Sequence, residues 1–188
     1  FAQTGYMQGA SGIGTFLFDQ PPNGPGIRPA PYSTDLGVNS YTYANIGSLA
    51  VPHGVGFVWA TMLWDMTWEL IENGSQPGFD PDIYNGTGGN NLAMQLVIDG
   101  MKLQACSPGF VDGRNAILLA DQALTGGANQ CAIWAAFARR GLGFSASQGS
   151  SSSTTDGTAA FDIPPSCEFL FPTPDTVQVC VGQNAQFS

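Results

Sequence analysis

Four stretches of this chain repeat apolar residues at the three- and four-residue spacing of a helix face. The longest runs from Gly54 to Glu72, with Val55, Trp59, Met62, Met66 and Leu70 on one stripe. Trp64 and Trp68 widen that stripe until little polar surface is left, which predicts a central helix buried on most sides. "GNNLAMQLVIDGMKLQ" predicts a second helix over Asn91–Leu103, with one narrow polar edge marked by Gln95, Asp99 and Lys102. "FVDGRNAILLADQAL" predicts a third, with Asp112 as N-cap and Gly126-Gly127 as the stop. "NQCAIWAAFARRGLG" predicts a fourth, capped by Asn129 and ended at Gly141, with Arg139 and Arg140 set against the negative end of its dipole. Trp59, Trp64, Trp68 and Trp134 all lie within these apolar runs and are expected in the core.

The remaining segments follow no helical period. Residues 1–47 read as an extended, loop-rich arm, because "QPPNGPGIRPAPYSTD" holds proline and glycine too densely for a helix. "SASQGSSSSTTDGTAA" buries too little to order itself and is expected as an exposed excursion or linker, with "FDIPP" as a closing strand or arm. The alternating Val177, Val179 and Val181 then predict the opening of a β-sandwich module. The fold class is therefore mainly α: a helical subdomain with a loop-rich N-terminal arm and a truncated β-module start. Its expected division is 1–164 and 165–188.

Charge narrows the partners. Fourteen Asp and Glu against five Lys and Arg give a net charge of −9, the wrong sign for nucleic acid or an anionic membrane surface. No uninterrupted apolar run reaches the roughly 18 residues of a membrane span. "FAQTGYMQGASG" has neither the basic region nor the apolar region of a signal peptide, and no initiator Met, so the chain reads as cut from something longer. The cysteines, at 106, 131, 167 and 180, form no CxxC, which argues against a structural zinc site. With the sequons at Asn73 and Asn85 they point to a secreted protein containing disulfides. Local pairing, Cys106–Cys131 and Cys167–Cys180, is the expected connectivity, with free buried thiols as the alternative.

"GIGTFLFDQ", "GIRPAPYSTD", "VPHGVGFVWATMLWDMTWELI", "GNNLAMQLVIDGMKLQACSPGFVDGRNAILLADQAL" and "CAIWAAFARRGLG" together resemble the C-terminal half of the catalytic domain of a fungalysin-type zinc metallopeptidase. The likeness runs from about residue 12 to about residue 164, with its pieces in order. It implies the thermolysin-like architecture, in which a helical subdomain forms one wall of the active-site cleft. The family's zinc is held by the two histidines of an HExxH and a glutamate further along. A chain with one histidine contains no HExxH, so the resemblance implies that the zinc ligands and the general-base glutamate precede Phe1. Under that reading the chain alone is inactive, and its partners are a peptide or protein substrate and the missing zinc-binding half.

Two residues carry the chemistry that the resemblance leaves here. His53, the only histidine, stands where thermolysin-like enzymes place the imidazole that donates a hydrogen bond to the oxyanion of the tetrahedral intermediate. Positive potential at a helix start favours such an anion, and a buried helix fixes the ring. The family more often has Val directly before this histidine and Ala after it, whereas here Pro52 and Gly54 flank it. Arg28, in a proline-framed loop, matches the arginine that bonds a substrate carbonyl on the primed side; the alternative is an ion pair with Asp35 or Asp19. Asp65 is expected to bond locally, and Asp99, Asp112 and Arg114 to brace the second and third helices. "DPDIYNGTGGNN" has oxygen-rich spacing that suits Ca2+ without the full EF-hand pattern. Two readings compete with the peptidase: a non-catalytic helical peptide-binding domain and a cell-surface interaction module.

Overall fold

The computed structural model describes residues 9–168. Val177, Val179, Val181, Cys180 and the expected β-module lie outside the described residues.

Helix α1, His53–Asn73, is the post around which the rest packs. Phe57, Val58, Met62, Met66, Leu70 and Ile71 face the core, and four of these are wholly buried. Each such side chain removed from water contributes roughly 1.5–3 kcal/mol before conformational entropy is subtracted. Helix α2, Gly89–Leu103, and α3, Phe110–Thr125, form an antiparallel pair through Leu92, Leu96 and Ile117. Helix α4, Gln130–Arg139, lies on α1 through Ile133, Ala136 and Phe137. A last turn, α5, spans Pro165–Glu168.

The tryptophans divide. Trp68 is buried, and Trp59 and Trp134 pack against the core, Trp134 beneath the Arg114 guanidinium at 4.4 Å. Trp64 instead lines an apolar groove with Trp68, Ile71 and Phe79. Helix α2 also departs from expectation. Met94, Ile98 and Met101 fall on one side of it and are exposed, so its outer face is not confined to a narrow polar edge.

Most of the helix ends differ in mechanism from the sequence reading. Asp112 sits one turn inside α3, where its carboxyl accepts the Gly109 N–H (3.0 Å) and the Gln148 amide; Gly109 holds the cap position. Those bonds hold Asp112 below the usual carboxylate range. Asn129 holds the N-cap position of α4 as expected, but its side chain makes no cap bond and is turned instead to Asp121 and to Ser75. Gly126 and Gly141 do end their helices, both at positive φ (73° and 79°). The expected Asp99–Asp112–Arg114 brace does not form. Asp99 pairs with Lys102, while Arg114 donates to the carbonyls of Leu142 and Gly143.

Two long-range ties replace the local bonding expected from sequence. Asp65 pairs with Arg140, 75 positions away, through two bonds of 2.6 and 3.0 Å. The same guanidinium donates to the carbonyls of Ser33, Asn39 and Tyr41, so a wholly buried cation gathers the N-terminal arm onto α1. Arg140 is therefore a core residue, and only Arg139 lies in the last turn of α4. The disulfide joins Cys131 to Cys167, not to Cys106, and Cys106 is free and exposed. Local pairing fails because residues after α4 turn back along it. Leu142 bridges Ala160, Ser147 bridges Thr158, and Phe144 donates to Asp162, which returns Cys167 to the start of α4. The Ser/Thr-rich excursion is thus a pinned loop, and "FDIPP" is its closing arm.

Candidate functional site

His53 is the first residue of α1 and is exposed. Behind it Gly54, Phe57 and Val58 are buried, so the imidazole stands at the rim of the core on a fixed helix. No hydrogen bond or ion pair engages the ring among the described residues, which leaves its nitrogens open to solvent. The Val51–Pro52 peptide that precedes it is cis. The backbone donors nearby are not free: Gly54 and Val55 both give their N–H to the Ala50 carbonyl, at 2.7 and 3.4 Å. The donor available at this helix end is therefore the side chain, with the helix dipole behind it.

Arg28 sits half-buried in the arm. Its loop is held on both sides. Ile27 donates to the Ile13 carbonyl, Gly26 donates to the Gln20 side chain, and Gly26 is at φ 62°, where an added Cβ would sit 2.1 Å from that carbonyl. Downstream, Asn39 ties the arm to α1 by donating to Pro31 and to the Thr61 hydroxyl. Neither Asp19 nor Asp35 pairs with Arg28 among the described residues. Among the described residues no hydrogen bond or ion pair joins Arg28 to His53 either.

The segment from Ile13 to Ile27, which leads into Arg28, also carries exposed apolar side chains. Ile13, Phe16, Leu17, Phe18 and Ile27 project from it, Phe16 with 93% of its surface in solvent. Three of them, Phe16, Leu17 and Phe18, are consecutive in the chain. The sequence signal that could have flagged them is "TFLF", an apolar run too short for a core helix and flanked by left-handed Gly14 and Asp19.

Among the described residues no group of three His, Cys, Asp or Glu is arranged to hold a metal ion. In the oxygen-rich loop, Asp82 accepts the N–H groups of Tyr84 and Asn85, and Asp80 those of Asp82 and Thr87. These bonds hold Asp82 below the usual carboxylate range, and a calcium ion there would compete with them.

A cleft of about 540 Å³ lies between α1 and the arm, lined by Asp35, Asp65, Glu69, Glu72 and Arg139. Burial pushes the Glu69 carboxyl up. The cleft belongs to the Arg140–Asp65 junction and contains neither His53 nor Arg28.

Residues 2–146 match the family model of the fungalysin metallopeptidases (M36). The chain belongs to that family. It is 48% identical over 145 residues to extracellular metalloproteinase 2 of Arthroderma gypseum, which covers 76% of this chain and 22% of that protein. It is 54% identical over 121 residues to extracellular metalloproteinase MEP of Neosartorya fischeri, covering 63% and 19%. With extracellular metalloproteinase 3 of Trichophyton tonsurans the identity is 48% over 148 residues, covering 77% and 23%. The chain thus spans about a fifth of the length of the curated relatives it matches. No helix among the described residues is long and apolar enough to cross a membrane.

Proposed function

We propose that this chain is the C-terminal helical part of the catalytic domain of a secreted zinc metalloendopeptidase. Residues 1–164 belong to that domain, and 165–188 lead into an accessory β-module. The observation that carries this reading is His53: a lone imidazole, unpartnered and exposed, mounted on a buried helix inside the family match.

His53 donates a hydrogen bond to the oxygen that becomes negative when water adds to the scissile carbonyl. Because that charge exists only in the transition state, the donor lowers the barrier without tightening substrate binding. Arg28 offers a planar fork of N–H donors to a substrate carbonyl beyond the scissile bond and so sets the register of the peptide. The side chains of the described residues do not fit a catalytic zinc, which needs three protein ligands and an open position, and a chain with one histidine holds no HExxH. The metal and the general base are therefore assigned to the remainder of the enzyme. The apolar face around Phe16, Leu17 and Phe18 is the surface on which that remainder rests. The Cys131–Cys167 disulfide and the relatives' extracellular names support secretion.

In the full-length enzyme carrying this segment, His53→Ala lowers kcat/KM by roughly 10²-fold. A folded variant that cleaves casein at the wild-type rate rejects the role. The 188-residue chain alone cleaves no azocasein, and stoichiometric tetrahedral zinc on it would overturn the assignment of the ligands elsewhere.

A further inference from the structure

We infer that Asn85 carries an N-linked glycan and that Asn73, the acceptor of the other sequon, does not. The inference goes beyond the peptidase reading and shares with it only the secretory route, which the Cys131–Cys167 disulfide and the extracellular relatives support. Asn85-Gly-Thr and Asn73-Gly-Ser satisfy the same tripeptide rule, so the motif does not choose between them. Their surroundings in the fold do.

Asn85 lies in the loop between α1 and α2, exposed together with Thr87 and outside any regular element. The loop is pinned from within. The Asp82 carbonyl accepts the Gly86 N–H at 2.9 Å and the Asn91 amide at 2.6 Å, and the Asp80 backbone exchanges two bonds with the Asn90 side chain. Those bonds hold the loop to the start of α2 while Ile83, Tyr84 and Asn85 stay in solvent. The Asn85 side-chain amide meets only Asp82, at 3.3 Å, and a glycosylated amide keeps one N–H for that contact. Asn73 is placed differently. It is the last residue of α1, its amide donates to Glu69 at 2.7 Å, and the Ser75 N–H of its sequon is given to buried Asn129. A helix of about 20 residues forms within roughly 1 μs, whereas synthesis adds about 5–20 residues per second, so Asn73 enters its helix before a sugar reaches it.

Transfer joins the Asn85 amide nitrogen to the anomeric carbon of a lipid-linked oligosaccharide. The bond from that carbon to the diphosphate breaks, the lipid diphosphate leaves with the electron pair, and the amide gives up one proton. The sugar then stands beside Ile83 and Tyr84, the latter with 94% of its surface in solvent, and shields them. Helix α1 runs about 27 Å from His53 to Ile71, whose carbonyl accepts the Gly78 N–H at the foot of the loop, so the glycan is clear of the imidazole.

The test secretes the full-length enzyme from a eukaryotic host as wild type, Asn73→Gln, Asn85→Gln, Thr87→Ser and Thr87→Ala. Digestion at Asp80 and Asp82 separates the two sequons, and the intact mass of each peptide reads its sugar. The Asn85 peptide carries an N-acetylhexosamine-based glycan in wild type, Asn73→Gln and Thr87→Ser, and loses it in Asn85→Gln and Thr87→Ala. No hydrogen bond engages the Thr87 hydroxyl among the described residues, so Thr87→Ala removes the sugar and leaves the loop's bonds in place. That variant cleaves casein at the wild-type rate and aggregates sooner on heating, which Asn73→Gln does not. A bare Asn85 in the wild type, sugar on Asn73, or sugar retained in Thr87→Ala overturns the assignment. Sugar-free Thr87→Ala that heats like the wild type overturns the shielding. A secreted enzyme that cleaves casein with Asn85 bare rejects this inference and leaves the peptidase reading standing, whereas a glycosylated protein that cleaves nothing rejects the peptidase reading alone.

Discussion

Two buried carboxyl groups tie irregular segments to the helices of this protein by different chemistry. Asp65 faces a guanidinium. Arg140 meets it with two bonds and spends its other donors on the carbonyls of Ser33, Asn39 and Tyr41, drawing the arm onto α1. Asp121 has no cation paired with it among the described residues. Its oxygens are held by the Asn129 backbone and amide, the Thr125 hydroxyl and the Gln130 amide, while Asn129 in turn accepts the N–H of Ser75. Both groups are almost wholly buried, Asp65 at 3% and Asp121 at 0% exposure. The contrast shows what burial demands: each polar atom must be satisfied, by charge or by a set of neutral donors, and either solution can anchor a loop. They differ in what happens when one partner is lost.

Breaking the charged tie has the largest effect. Arg140→Met leaves buried Asp65 without a hydrogen-bonded cation, only the Arg139 guanidinium at 3.8 Å, and strands three carbonyls, and costs about 3–5 kcal/mol in urea unfolding. Adding Asp65→Leu removes the stranded charge and recovers much of that loss, since replacing both partners is far milder than removing one. The neutral tie is weaker. Asp121→Asn keeps the shape but replaces one accepting oxygen by a donor facing other donors, and costs roughly 1–3 kcal/mol. Hydrogen exchange at Ser75 sharpens this result, because Asn129→Ala should speed exchange there and leave the Arg140 cluster protected. A partly exposed carboxyl marks the small end of the scale. Asp112 is held below the usual carboxylate range by the Gly109 N–H and the Gln148 amide. A depressed folded-state pKa contributes stability that is complete above the unfolded value of about 4 and is lost as pH falls through the folded one. Asp112→Asn should therefore flatten the acid side of the melting curve against pH and change little at neutrality. An unchanged acid limb would show that this carboxyl does not stabilise the helix start.

The helices were legible in the sequence, and the ties were not. The period through Met62, Met66 and Leu70 marks a buried face because burial and helical geometry act on neighbouring residues. Arg140 looked like a cation at a helix end because its partners lie on residues 33–41 and at position 65, far away along the chain. The disulfide was misread for the same reason, since the return of residues 158–162 alongside 141–147 decides which cysteine reaches Cys131. Of the candidate site, the sequence marks His53 and Arg28 through family pattern. It carries no signal for the distance between them, which depends on how the arm folds, and it does not show that Ala50 occupies the first N–H groups of α1.

The Cys131–Cys167 bond closes a ring of backbone that contains α4 and the exposed Ser/Thr-rich loop. A protease that nicks that loop severs the chain without separating its pieces, because the covalent circuit still runs through the two sulfurs. The cut molecule would migrate as one species until thiol is added, and only then fall into two bands.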